Sequence, residues 1–162
     1  MPGALKLTKP SDLLHKLRHE MAKLSADPYD AYAALNAARD AYHLCDWIWA
    51  HTLSKDSILQ TKVMGTIGTK ADYITFTKGA CPDFSQIEEL CNGSKHFGPP
   101  REGPQITGSY EGGWGRQHWG EGVWGAPAAL VAVTAMAHMS VPDLLKRALA
   151  YWETFFMTHN IP

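Results

Sequence analysis

Three tandem copies of Trp-Gly-x-x-x begin at Trp114, Trp119 and Trp124, inside an eighteen-residue stretch from Gly108 to Gly125 that holds seven glycines and half of the chain's six tryptophans. Glycine loses much backbone freedom on ordering, and each indole brings a large rigid apolar surface with a single N–H. Such a segment orders only if its indoles are covered, by the rest of the chain or by a partner. A five-residue period also places Trp114 and Trp119 on opposite faces of a regular strand, so a one-sided aromatic platform requires a turn or bulge between them.

At 162 residues the chain fits one domain, and a domain of this size buries roughly 70% of the surface exposed by its unfolded form. A net charge of −1 gives no global attraction to nucleic acid or anionic lipid. The three cysteines, Cys45, Cys81 and Cys91, are odd in number and form no Cys-x-x-Cys pair. With no secretory signal at the N-terminus, they are expected as free thiols in a cytoplasmic protein. The most apolar run, Ala126 to Met139, is interrupted by Pro127, Thr134 and His138 and falls short of the roughly 20 residues of a membrane helix. No membrane partner is expected.

Leu13, Leu14, Leu17, Met21 and Leu24 recur at helical spacing after a cap at Ser11 or Asp12. Asp27-Pro28 stops that helix and starts a longer one to about Thr52, with Leu35, Ala38, Tyr42, Cys45 and Trp49 as its buried stripe. Ser54 to Gly68 reads as a loop with at most a turn of helix, and Thr69 to Thr77 as a short helix. Another helix is expected from about Asp83 to Phe97, burying Phe84, Ile87, Leu90 and Cys91. A final one runs from Val141 to Thr158 behind a Ser140 cap, with Leu144, Leu145, Ala148, Leu149, Trp152 and Phe156 inward. Gln105–Thr107 and Ala128–Thr134 read as strands flanking the glycines. The expected class is α+β, mainly α: a single domain over 1–162 made of four or five helices, with a Gly/Trp-rich β-hairpin or small antiparallel sheet inserted at about 104–134.

Two polar stripes could carry chemistry. Asn36, Asp40, His43 and Asp46 follow one another at four-, three- and three-residue steps on the long helix, with Arg39 adjacent. Glu88, Asn92 and His96 fall at i, i+4 and i+8 on the Asp83 helix, with Lys95 beside them. The plain alternatives are a solvated face and a capped helix end. Facing each other, the stripes would converge His43, Asp46, Lys95 and His96 as acid–base or anion-holding groups, with Asp40, Glu88, Asn92 and Arg39 around the ligand. A divalent metal on His43 and His96 is the one cofactor the pattern allows, although His-Glu-x-x-His and its inverse are absent. Otherwise no cofactor is expected. Trp119 with Arg116 could stack on a planar ligand, and Trp114, Trp119 and Trp124 together could dock a protein. The chain lacks a Walker loop, a dinucleotide-binding glycine motif and a nucleophile elbow.

The runs Ala-Tyr-His-Leu-Cys-Asp-Trp at 41–47, Cys-Pro-Asp-Phe at 81–84 and Cys-Asn-Gly-Ser-Lys-His-Phe at 91–97 resemble a group of small uncharacterised bacterial and phage proteins. Leu-Leu-x-x-Ala-Leu-x-x-Trp at 144–152 extends the resemblance over most of the chain. It implies a fold, and singles out His43, Asp46, Asn92, Lys95 and His96. A weaker similarity is to HEPN domains, helical bundles found among defence ribonucleases, whose motif sets an arginine four to six residues before a histidine. Counting back from His96 by the shortest spacing reaches Cys91, so this chain departs from the motif at the residue that would hold the scissile phosphate. The first resemblance implies no function; from the two polar stripes, partly roofed by the Gly/Trp segment, the function expected is binding of a small or nucleotide-like ligand, with a HEPN-like ribonuclease or an inactive relative, or a protein-interaction module using the Trp-Gly repeat, as alternatives.

Overall fold

The computed structural model describes residues 7–93, 105–110, 129–133 and 138–162, with the backbone alone at 93, 105–110, 129–133 and 138–139. Its helices are α1 Pro10–Ala26, α2 Ala31–His51, α3 Ser57–Met64, α4 Lys70–Ala80, α5 Phe84–Gly93 and α6 Val141–His159.

Local chemistry sets the helix ends. At α1 the Asp12 carboxylate turns back to accept from the amides of Thr8, at 2.8 Å, and Lys9, so Lys9 rather than Ser11 or Asp12 is the capping position. Asp27 accepts from the amide of Tyr29 in a turn, and the cap of α2 passes to Asp30, whose carboxylate takes the Ala33 amide at 2.9 Å. Asp56 does the same for Leu59 at the start of α3. A reciprocal Thr69–Asp72 box opens α4, and Ser140 accepts from Asp143 at α6.

The expected α+β class is corrected by this architecture. Residues 54–68, read as loop, contain a complete capped helix, and α4 runs three residues beyond Thr77, so the described residues hold six helices rather than four or five. Short extended stretches at Gln105–Tyr110, Ala129–Val133 and His138–Ser140 supply none of the described core side chains. Among the described side chains the core is built by the helices and the short turns beside them, with no contribution from a β-hairpin or sheet layer, and the class is α rather than α+β. The Trp-Gly pentad, with Trp114, Trp119 and Trp124, lies outside the described residues.

α2 is the central helix, packed against α1, α4, α5 and α6. Its buried face is mostly alanine, Ala33, Ala34, Ala37, Ala38 and Ala41, followed by Leu44, Cys45 and Ile48. These small side chains let α1 bring Leu13, Leu14, Leu17, Met21 and Leu24 against the helix backbone. Leu35, Tyr42 and Trp49, expected within the stripe, are only partly buried at its edges. From α6, Trp152 is fully buried and packs edge-on against Phe84 of α5. Tyr73 of α4 sits in an aromatic run between Trp49 and Phe155.

Candidate functional site

Three and a half residues make a turn only approximately, so the polar stripe of α2 drifts around the axis. Asp40 and Asp46, six residues apart, lie about 120° apart in projection at 3.6 residues per turn. The structure accordingly sends them to different neighbours.

Asp40 turns toward α1. Its carboxylate is 4% exposed and pairs with Lys16, which also approaches Glu20 at 3.9 Å. Lys23 reaches Glu20 at 3.3 Å, and the half-exposed Arg39 reaches Asp40 at 3.7 Å. Burial pushes the Asp40 carboxyl above the usual carboxylate range, and Lys16 opposes that shift. This cluster holds α1 to α2. It takes Asp40 and Arg39 away from His43.

His43 and Asp46 face the other way, toward α4. Nδ1 of His43 lies 3.2 Å from Oδ2 of Asp46, and Oδ1 of the same carboxylate is 2.7 Å from the Lys70 ammonium. Alongside, the Tyr42 hydroxyl donates to Oε1 of Glu88 at 3.2 Å, and Lys78 pairs with Oε2 at 2.6 Å. The Tyr42 and His43 rings are 5.4 Å apart, joining the two sets into one strip across α2, α4 and α5. Burial, with Glu88 next, raises the Tyr42 phenol to about 12, so it stays a donor. The side chains of His43 and Asp46 keep 34% and 32% exposure, which makes this an open seam rather than an enclosed pocket.

Lys70 and Lys78 were not legible as site residues, because their contacts bridge separate helices. The only local signal is their place on one short helix, eight residues apart. Asn92 is exposed one turn beyond Glu88. Lys95, His96, Arg116 and Trp119 lie outside the described residues, so the convergence of His43 with His96, and a metal shared between them, rests on a residue outside that set. Among the described residues no group of three or more His, Cys, Asp or Glu could hold a metal ion.

Nucleophilic thiol chemistry finds no support in Cys45. Its sulfur is buried 3.7 Å from the Thr77 hydroxyl, and burial raises its pKa to about 12. A shallow depression lined by Ser57, Ile58, Thr61, Lys62 and Ile67 lies on and just after α3, separate from the strip. Among the described residues no helix is long and apolar enough to cross a membrane.

Comparison of the chain with family models, with curated proteins and with solved structures finds no match in any of the three.

Proposed function

We propose that the chain is a helical ligand-binding domain whose site is the seam between α2, α4 and α5, with His43 as the group that meets a small polar or nucleotide-like ligand. The observation that carries this reading is the ion-paired carboxylate behind the imidazole. Asp46 accepts at Nδ1, which leaves Nε2 as the nitrogen for a ligand, able to accept a hydrogen bond or take up a proton. One-third exposure gives a ligand access while the carboxylate keeps the ring oriented. Tyr42 flanks the ring and is held by Glu88, so two polar side chains with fixed partners share one edge of the seam. Such preorganisation lowers the ordering cost of binding.

Adenosine monophosphate, with inorganic phosphate as comparator, is the probe for the test. Titration into 15N-labelled protein is expected to move the amide signals of residues 42–46 and of the start of α4, and His43→Ala is expected to abolish those shifts while leaving the helical circular dichroism intact. Equal binding by His43→Ala, or shifts confined to other helices, would overturn the reading.

A further inference from the structure

We infer that Lys70 is the positioning residue of the His43–Asp46 pair, fixing the imidazole as the Nδ1–H tautomer so that Nε2 is the nitrogen presented outward. This rests on the reading of His43 as the ligand-facing group.

The argument begins with a residue in an unfavourable place. Lys70 is the first residue of α4, directly after the Thr69 cap, where the partial positive charge of the helix N-terminus opposes a cation. Lys78, in the last turn of the same helix, has the opposite setting: the dipole favours it, and its pairing with Glu88 needs no further account. A local rule broken without a local gain points to a role elsewhere. For Lys70 the partner is Asp46.

A carboxylate one-third exposed, three residues along a helix from a histidine, can rotate and hydrate freely. Its terminal torsion is broad and has no strong preference of its own. With Lys70 on Oδ1 at 2.7 Å, that torsion is fixed and Oδ2 is directed at Nδ1. The lysine backbone is itself held, because the Thr69 amide donates to Asp72 at 2.7 Å and the Asp72 amide returns a bond to the Thr69 hydroxyl. The charged and titratable groups linked to His43 by contact are Asp46 from its own helix, Lys70 from α4 through Asp46, and the neighbouring Tyr42 phenol, which is tied to Glu88 of α5 and, through it, to Lys78; Asp40 and Arg39, one turn back on α2, are engaged with each other and, for Asp40, with Lys16 of α1. Lys70 touches neither ring nitrogen, so its effect on the imidazole passes through Asp46.

As an exposed ion pair the Lys70–Asp46 contact contributes little to stability. A merely structural role would therefore leave the imidazole unaltered when Lys70 is replaced. Long-range 1H–15N spectra of the histidine rings near neutral pH read the tautomer directly. His43 in the unsubstituted protein is expected as predominantly Nδ1–H. In Lys70→Met and Lys70→Gln, two variants of a half-exposed side chain, the Nε2–H form is expected to become the major one, and Lys70→Arg is expected to restore the original spectrum. An unchanged His43 tautomer in both variants would overturn the role of Lys70. If adenosine monophosphate still shifts residues 42–46 in those variants, the loss falls on Lys70 alone and not on the binding site. A His43 that lacks the Nδ1–H form in the unsubstituted protein, or is unaltered by Asp46→Asn, would remove the pair itself and this inference with it.

Discussion

The indole N–H of Trp152 donates to the main-chain oxygen of Ala41 at 2.9 Å, in the middle of α2. It fastens α6 to the central helix at a point where both groups are sealed from water. Trp152→Phe removes the donor and leaves a void beside Phe84, and together these are expected to cost about 2 kcal/mol. Urea unfolding followed by far-ultraviolet circular dichroism measures it, and a cost under about 0.5 kcal/mol would mean that the contact does not join the helices.

Asp40 should make stability depend on pH in the direction opposite to an ordinary salt-bridged carboxylate. Its pKa is raised in the fold, with burial the largest cause and Lys16 opposing. The folded state therefore holds the Asp40 proton more tightly than the unfolded chain does. The contribution is present below the unfolded value of 3.8 and is lost as pH rises through the higher folded value. The difference in unfolding free energy between the unsubstituted protein and Asp40→Asn should accordingly shift against the unsubstituted protein over that window. A difference that moves the other way would show that pairing with Lys16 outweighs the burial.

Short-range signals made much of this fold legible. The apolar periods of α1 and α6 and the buried set Phe84, Ile87, Leu90 and Cys91 were readable because helical spacing and burial follow from the same geometry. α3 was not, since its eight residues are too few for an apolar stripe, and its start signal, the Asp56 carboxylate on the Leu59 amide, resembles a turn. On α2 the expected stripe included Ala38 and Cys45, which are buried, but not Ala33, Ala34, Ala37 and Ala41, because alanine carries too weak an apolar signal to mark the face that allows α1 to pack closely. Of the proposed seam, the part on α2 was legible. Histidine and aspartate three residues apart on a helix announce a local pair, whereas the cations that complete the strip come from α4, a contact fixed only by how the helices dock.

Cys45 offers a test of how tightly α2 and α4 close. Its thiol is buried against Thr77 and raised to about 12, so the thiolate is scarce at neutral pH and the sulfur is shielded as well. Iodoacetamide near pH 8 is expected to leave Cys45 unmodified in the folded protein and to alkylate it on addition of denaturant. Peptide mass spectrometry reads the difference. Rapid modification of Cys45 under native conditions would mean that the α2–α4 contact opens readily.

Gly65 ends α3 with φ of 78°, and its amide closes the last turn on the Thr61 carbonyl at 2.8 Å. A Cβ built there meets nothing within 4 Å, so any cost of substitution comes from the backbone and not from crowding. Left-handed geometry costs an L-residue with a Cβ about 1 kcal/mol relative to glycine, and less for asparagine, whose short polar side chain tolerates it. Gly65→Ala should therefore lower the unfolding free energy by about 1 kcal/mol and Gly65→Asn by less than half of that. Both are measured by urea titration. Equal costs for the two would point to the fraying of α3 rather than to strain at its C-terminal glycine, because fraying releases the left-handed requirement for either residue.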